Sequence, residues 1–252
     1  MRVLSLGAGV QSSTLLLMAE HGEVVIDAAV FADTQWEPQA VYDHLAWLES
    51  VSHLPIHRVS DGNIREDFFG RPGFAALPLH LTSERGTKAQ LRRQCTAQYK
   101  VRPIQRLIRS GGATAKAPVS MLIGISLDEA HRMREPRVRY VQHVYPLVDM
   151  RMSRGDCLAW LDRHGYPQPP KSACIGCPFQ GNARWRDRKL NQPEEWADAV
   201  AFDSAIRAVS RIKGDVYLHA SLQPLEMVDL RNAHDRGQMD LFGEECSGLC
   251  GV

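Results

Sequence analysis

The sequence lacks the features that mark several classes of protein. The 252-residue chain has no run of about 18 apolar residues, the length that a membrane-spanning helix needs. It has no internal repeat and no low-complexity segment, and its charged fraction of 23% is ordinary for a globular protein. Its first residues lack the charged, apolar and small-residue layout of a signal peptide. These absences exclude fibrous, disordered and membrane-spanning proteins and predict a cytoplasmic protein without membrane contact.

Net charge is nearly absent too, at +1, but the charge is unevenly distributed. Residues 1–83 carry 4 basic and 10 acidic side chains, whereas residues 84–139 carry 13 basic and 4 acidic ones, a net charge of +9. A nucleotide needs only a few cations. The basic segment 84–139 therefore indicates either a nucleic-acid partner or a basic solvated surface.

Six cysteines are present in a chain without an export signal, so we expect thiols rather than disulfides. Cys174 and Cys177 form a C-x-x-C pair, and Cys246 lies close to Cys250. Such spacing in an intracellular protein is typical of metal-binding or catalytic cysteines. Cys157 lies within an apolar helical stretch and is interpreted as a small buried residue.

The hydrophobic pattern predicts an α/β fold with a doubly wound, mostly parallel sheet of the Rossmann type. Buried strands over residues 2–7, 24–33 and 56–60 alternate with helices over about residues 12–20 and 38–52. The further expected elements are a long loop or lid over residues 61–90, a helix over 97–109, a strand over 119–126, an edge strand over 140–150, and helices over 154–164 and 193–213. We predict a nucleotide-binding domain over residues 1–165. A cysteine-containing helical and irregular C-terminal region covers residues 166–252.

The segment between the first strand and the first helix carries glycines and serines suited to an anion. Helix N-termini offer unpaired N–H groups to phosphates, and glycines let the backbone approach. The segment has no Gly-Lys-Ser/Thr ending and no third glycine in a G-x-G-x-x-G pattern, which excludes two common phosphate loops. Its alternative interpretation is a glycine-rich structural turn.

Ser5-x-Gly7-x-Gly9-x-x-Ser12 resembles the PP-loop of the adenine nucleotide alpha-hydrolase superfamily, and further segments resemble PAPS reductases in the same order along the chain. These segments are Phe31-Ala-Asp33-Thr34-Gln35-Trp-Glu37, Cys95-Thr96-Ala-Gln-Tyr-Lys100-Val-Arg-Pro103, Gly124-Ile125-Ser-Leu-Asp128-Glu129, Pro146-Leu147-Val-Asp149, Ile175-Gly176-Cys177-Pro178 and Glu245-Cys246. Two residues depart from the family pattern, since Gln35 replaces a usual glycine and Thr96 replaces the second cysteine of a pair.

The resemblance implies a site for ATP or PAPS with Mg²⁺. The nucleotide-binding residues that it implies are Ser5, Gly7, Gly9, Gln11, Ser12, Ser13, Asp33, Thr34, Gly124 and Asp128. The catalytic residues that it implies are Lys100, facing phosphate or sulfate, Asp33, and Cys246 in the tail. Asp33 has a helix N-cap as its alternative role, and Asp128 has a surface salt bridge.

Cys95, Cys174, Cys177 and Cys250 are the candidate metal ligands. Four thiolates suit zinc or an iron–sulfur cluster, and the resemblance favours a 4Fe–4S cluster. The absence of a bound metal is a third alternative. Cys246 is the alternative fourth ligand, or a nucleophile that carries or attacks sulfur.

The expected function is ATP cleavage to AMP and pyrophosphate, which activates a substrate for sulfur transfer to a nucleic acid. The first alternative is a PAPS or adenylyl-sulfate reductase coupled to a thioredoxin-like protein, and the second is a non-catalytic nucleotide-binding accessory protein. A thioredoxin-like or sulfur-donor protein is an expected partner. Residues 238–242 also resemble a peptide that docks on sliding clamps, although so short a motif recurs by chance.

Overall fold

A computed structural model describes residues 1–71, 77–82, 86–209, 214–231 and 235. Its strands are β1 (Arg2–Leu6), β2 (Ala28–Asp33), β3 (Ile56–Ser60), β4 (His80–Thr82), β5 (Lys88–Gln90), β6 (Val119–Ile123), β7 (Val141–Val144) and β8 (Val216–Tyr217). Its α-helices are α1 (Val10–Glu20), α2 (Gln39–Val51), α3 (Ile64–Gly70), α4 (Arg102–Ser110), α5 (Pro146–Asp149), α6 (Arg154–Arg163), α7 (Asn182–Asn191) and α8 (Pro193–Ile206). A π-helical turn, Thr96–Val101, precedes α4, and 3₁₀ turns cover Leu127–Arg132 and Leu225–Met227.

A five-stranded sheet in the order β3-β2-β1-β6-β7 organises the first of two compact units, which contains residues 1–62 and 96–172. Every neighbouring pair in it is parallel, with Leu4 of β1 opposite Ala29 and Leu122. The predicted α/β Rossmann-like class is therefore confirmed. The strand order reverses direction between β1 and β6, and in such sheets ligands bind at the carboxyl ends of the strands beside this reversal.

Each face of this sheet is covered by helices. One core cluster includes Leu15 of α1, Leu45 of α2 and Trp160 of α6. The other includes Ile104 and Ile108 of α4. Burial on both faces explains why the strands appear in the sequence as continuous apolar runs.

The second unit contains residues 63–95 and the chain from residue 173 onward, and it holds an antiparallel sheet in the order β5-β4-β8. The prediction of a long loop over residues 61–90 is wrong for α3, β4 and β5. Asn63 caps α3 by accepting hydrogen bonds from the N–H groups of Arg65 and Glu66. These elements are too short to show a hydrophobic period, and they gain their burial from distant segments.

Within the second unit, α3 and β4 pack with the C-terminal part of the chain. The ring of Phe68 meets that of Phe202 in α8 at 5.4 Å, and Arg65 forms an ion pair with Asp198 at 2.8 Å. β4 pairs with β8. The division predicted at residues 165 and 166 does not anticipate this long-range packing.

Several other boundaries differ from the prediction. α1 starts at Val10 rather than near Ser12, β2 starts at Ala28, and α7 is a helix that was not predicted. Ser153 and Asp156 form a capping box at the start of α6. In the described part of the chain, no helix is both long and apolar enough to cross a membrane.

Candidate functional site

The glycine loop, residues 7–9, joins the central strand β1 to α1 at the reversal of the sheet. Ser12 Oγ accepts a hydrogen bond from the N–H of Gly7 at 3.1 Å and donates one to the carbonyl of Gly9 at 3.3 Å. Ala8 has a φ of 51°, the left-handed conformation that L-residues rarely adopt. Gly9 is the N-cap residue of α1, and the cap carries no side-chain hydrogen bond. The loop thus leaves the first N–H groups of α1 to an external acceptor, as helix geometry requires.

Two glycines of the site leave no room for a side chain. A Cβ on Gly124, which follows β6, would lie 2.9 Å from Ser12 N and 3.1 Å from Ser12 Cα. A Cβ on Gly9 would lie 2.7 Å from Ser172 Oγ. The chain after β6 therefore runs directly against the first turn of α1, and the hydroxyl of Ser172 lies over the loop.

Gln11 links α1 to the turn after β6 instead of pointing outward. Its Nε2 donates to Glu129 Oε2 at 3.0 Å, and its Oε1 accepts from Arg154 Nη1 at 3.1 Å. Arg132 Nη1 holds the other oxygen of Glu129 at 2.5 Å. Asp128 Oδ1 accepts from the N–H of Arg154, the first residue of α6. In this arrangement Gln11 and Asp128 position neighbouring elements, and two arginines lie beside the loop.

Ser13 belongs to the core rather than to the loop surface. It is fully buried, and its hydroxyl contacts His44 Nε2 at 2.9 Å. Burial lowers the pKa of His44 to about 4. Ser5 is half-buried within β1.

Asp33 ends β2 and stabilises the turn that follows. Its Oδ1 accepts from the N–H of Gln35 at 2.7 Å and from the hydroxyl of Tyr42 at 2.8 Å. Burial, and then this carboxylate, raise the pKa of Tyr42. Gln35 has a φ of 57°, a conformation that glycine adopts without strain. Gln35 therefore adopts a strained backbone conformation at a position where the pattern it resembles has glycine.

Thr34 and Lys100 meet at one carboxylate. Thr34 Oγ1 donates to Glu37 Oε1 at 3.0 Å, and Lys100 Nζ lies 3.6 Å from the same oxygen. The Glu37 side chain is only 2% exposed, whereas that of Lys100 is 26% exposed. Lys100 is therefore held at the carboxyl end of β2 by an acidic partner and remains accessible to solvent.

The cysteine turn, residues 174–177, lies in the second unit and is held from behind by buried donors. Gln180 Nε2 donates to the carbonyls of Ile175 and Cys177 at 2.9 and 3.1 Å. Arg188 Nη1 donates to Ile175 O at 2.8 Å and to Gln180 Oε1 at 2.6 Å. The Arg188 side chain is fully buried and paired with Glu195. The backbone of the cysteine turn is therefore fixed by a buried guanidinium and a buried amide.

Cys95 is in the same unit, and the segment before it contacts the segment after the cysteine turn. The guanidinium of Arg93 lies 5.3 Å from the ring centre of Phe179. However, no three His, Cys, Asp or Glu side chains of the described residues are grouped closely enough to hold a metal ion. In this structure the predicted ligands Cys95, Cys174 and Cys177 therefore do not form a metal site by themselves. Cys246, Cys250 and the clamp-like residues 238–242 lie outside the described residues.

Cys157 is fully buried in the core, and burial raises the pKa of its thiol to about 12. Its interpretation as an inert core residue agrees with this environment. Trp185 is also fully buried.

Sequence reasoning missed Ser172, Arg154, Gln180 and Arg188. Ser172 and Gln180 carry no local signal, because their roles arise from contacts between distant segments. Arg188 lies in a basic, aromatic-bearing stretch, residues 184–189, whose residue types suit either nucleic-acid contact or, for Trp185, the core. Arg188 follows Trp185 by three residues, so the two side chains lie on the same face of a helix. This spacing was the sequence feature that indicated a buried face.

Comparison with known proteins finds several solved structures that the chain resembles, among them two enzymes. One is phosphoadenylyl-sulfate (PAPS) reductase from Candida auris in a phosphate complex, with 15% identity, coverage of 66% of this chain and 74% of that chain, and a TM-score of 0.46. The other is the U34-tRNA thiolase NcsA from Methanococcus maripaludis with its 4Fe–4S cluster, with 12% identity, coverage of 90% and 78%, and a TM-score of 0.36. No family model and no curated protein matches the chain. The fold class rests on the strand order of the parallel sheet.

Proposed function

We propose that the first unit binds the phosphates of an adenine nucleotide at the glycine loop. The observation that carries this proposal is the close approach of Gly124 to Ser12 at the reversal of the sheet, beside the uncapped N-terminus of α1. Backbone N–H groups and the helix dipole favour an anion there. Gly9, beneath the Ser172 hydroxyl, lets that anion reach the backbone.

The residues around the loop have different roles in binding the nucleotide. Ser12 keeps the loop in shape through both of its hydrogen bonds. Lys100 supplies an accessible cation near the end of β2, where Glu37 fixes its position. Asp33, with Oδ1 engaged in the turn, is the candidate to contact Mg²⁺ bound to the phosphates.

The reaction that we propose is cleavage of ATP between its alpha and beta phosphates. A nucleophilic oxygen of the acceptor forms a bond to the alpha phosphorus, and the bond to the bridging oxygen breaks, releasing pyrophosphate. A sulfur nucleophile then displaces AMP from the adenylated acceptor. We propose a nucleic acid as the acceptor, because of the net charge of +9 over residues 84–139. Cys246 is the candidate carrier of the sulfur.

A cysteine-bound metal centre remains a proposal for the second unit. The preformed cysteine turn offers two thiols, and Cys95 and Cys250 are the candidates to complete the set. Since the described cysteines are not grouped as ligands, no step of the reaction is assigned to this centre. Four thiolates would suit an iron–sulfur cluster or zinc. The iron content and optical spectrum of anaerobically purified protein separate these two from a metal-free chain.

The test of the nucleotide proposal is pyrophosphate release from ATP by the purified full chain with Mg²⁺. We expect Ser12→Ala to reduce release by about tenfold or more, since one lost hydrogen-bonding side chain in the loop costs about 1–2 kcal/mol. Ser50→Ala is the matched control, because the Ser50 hydroxyl also donates to a backbone carbonyl, that of Trp47, far from the loop. Full activity of Ser12→Ala would contradict the assignment of the loop.

The two alternatives predict different outcomes of the same assays. Sulfite formation from PAPS that is lost in Cys246→Ser would favour a reductase. ATP binding without pyrophosphate release, with every sulfur donor and acceptor supplied, would favour an accessory protein.

A further inference from the structure

Three arginines form an exposed basic stripe on α4. Arg102, Arg106 and Arg109 are exposed, whereas Ile104 and Ile108 face the core. The spacing of i, i+4 and i+7 places all three cations on one face of the helix, over about 10 Å of its length. Like charges at this spacing repel by about 0.2–0.5 kcal/mol per pair, so the bare helix is destabilised by its own stripe.

A shallow, open groove runs along the same helix. It has a volume of about 360 Å³ and is lined by Val59, Ser60, Pro103, Arg106, Leu107 and Ser110. Its apolar members come from β3 and α4, and its polar members are two hydroxyls and one guanidinium. This combination suits a nucleoside, which has flat apolar faces and polar edges.

The positive charge of the stripe is only partly balanced. Arg106 Nη2 contacts Asp61 Oδ1 at 2.7 Å, but its side chain remains 62% exposed. The Arg109 guanidinium lies 4.8 Å from the ring centre of Tyr140, a contact that orients the cation without neutralising it. Arg137 and Arg139, just before Tyr140, are exposed as well. A polyanion would find several oriented cations on this surface.

We propose that the α4 stripe and its groove bind single-stranded nucleic acid, with one nucleotide in the groove and the flanking phosphates on Arg102 and Arg109. The inference deepens the proposed function, since it locates the surface that receives the acceptor. Charge complementarity selects a polyanion, and the groove selects an unpaired nucleotide over a duplex, whose bases are stacked inside.

The test measures binding of a labelled single-stranded oligonucleotide to the full chain by fluorescence anisotropy, between about 50 and 200 mM salt. We expect Arg109→Glu and Arg102→Glu each to weaken binding by about tenfold and to reduce the slope against log salt concentration by about one. Arg163→Glu is the matched control. Arg163 is exposed and lies in the last turn of α6 as Arg109 lies in that of α4, so both reversals lose the same helix-dipole interaction.

Pyrophosphate release from ATP, measured on the same variants without acceptor, separates the two proposals. Weakened oligonucleotide binding with unchanged release supports the α4 surface. An Arg109→Glu variant that binds as tightly as the unaltered protein, an equal loss in Arg163→Glu, or tighter binding of a duplex of the same sequence would overturn it. Absence of release in the unaltered protein would instead contradict the proposed function and leave the binding result to stand alone.

Discussion

The glycine loop of the first unit and the cysteine turn of the second are the two turns to which we propose functional roles, and they are held in opposite ways. The glycine loop is shaped by Ser12 and by the close approach of Gly124, and the N–H groups at the start of α1 have no side-chain cap. The cysteine turn has its carbonyls occupied from behind by Gln180 and Arg188. One turn therefore presents backbone donors to an anion, whereas the other presents side-chain thiols on a backbone that is already satisfied.

This difference predicts where substitutions matter. The glycine loop should be sensitive to added volume, because a Cβ on Gly124 would lie only 2.9 Å from the backbone N of Ser12. The cysteine turn should be sensitive to lost donors, because a buried guanidinium and amide hold it. Among the substitutions and titrations considered, the expected effect on stability is largest at the cysteine turn and smallest at Gln35.

The largest effect is expected for Arg188→Met. It leaves Gln180 Oε1, Ile175 O and the carboxylate of Glu195 without a buried cation, and breaking such a pair costs about 3–5 kcal/mol. Denaturant unfolding should show a lower midpoint, and a thiol reagent should modify Cys174 and Cys177 faster as the turn loosens.

Arg184→Met provides the control for this change. Arg184 lies in the same helix and pairs with Asp187, whose side chain is 42% exposed, so we expect a loss of about 1 kcal/mol or less. Equal destabilisation by both variants would mean that the cysteine turn is not held by Arg188 in particular.

An effect of intermediate size on stability is expected from the titration of His44, which contacts Ser13 of α1. Burial lowers the pKa of His44 from its usual 6.5 to about 4. Between these two pH values, His44 is therefore protonated in the unfolded chain but neutral in the native protein. Stability contributed by the neutral imidazole is complete above pH 6.5 and is lost as the pH falls towards 4. The loss is about 2 kcal/mol at pH 5.

The measurement compares unfolding at pH 7.5 and pH 5 for the unaltered protein and for His44→Gln, which keeps a hydrogen-bonding group beside Ser13. The variant should show a pH dependence smaller by this amount. The same pH dependence in both proteins would show that His44 is not the titrating group.

The smallest effect is a gain. Gln35→Gly relieves the left-handed backbone at a φ of 57°, which costs about 1–2 kcal/mol for a residue with a side chain. It also removes the hydrogen bond from Gln35 Nε2 to Ser60 Oγ. We expect a net stabilisation of about 0.5–1 kcal/mol, measured as a shift in the unfolding midpoint.

Repeating Gln35→Gly in the Ser60→Ala background isolates the backbone contribution, because the side-chain bond is absent from both proteins. The gain should be larger there. A loss of stability in that background would mean that the turn after Asp33 does not carry the strain.

The parallel sheet was predictable because its strands and helices bury continuous or periodic apolar faces, as in residues 28–32 of β2 and Val41, Leu45 and Leu48 of α2. The short elements of the second unit were not, because Phe68 and Leu79 are buried by segments far along the chain. In the site, the residue types of the glycine loop were evident from the sequence. The roles of Gln11, Asp128 and Ser13 were not, since each depends on a partner 26 or more residues away.

The most direct test of the central claim is ATP binding by Gly124→Ala, measured by calorimetric titration beside Gly155→Ala. A Cβ on Gly124 meets Ser12 N at 2.9 Å, whereas a Cβ on Gly155 meets nothing nearer than 3.5 Å. Displacing the first turn of α1 should weaken ATP binding by about tenfold to a hundredfold, as overpacking of about 1–3 kcal/mol implies. Gly155→Ala should bind ATP normally. Unchanged ATP affinity in a folded Gly124→Ala protein would contradict the claim that the glycine loop binds the nucleotide.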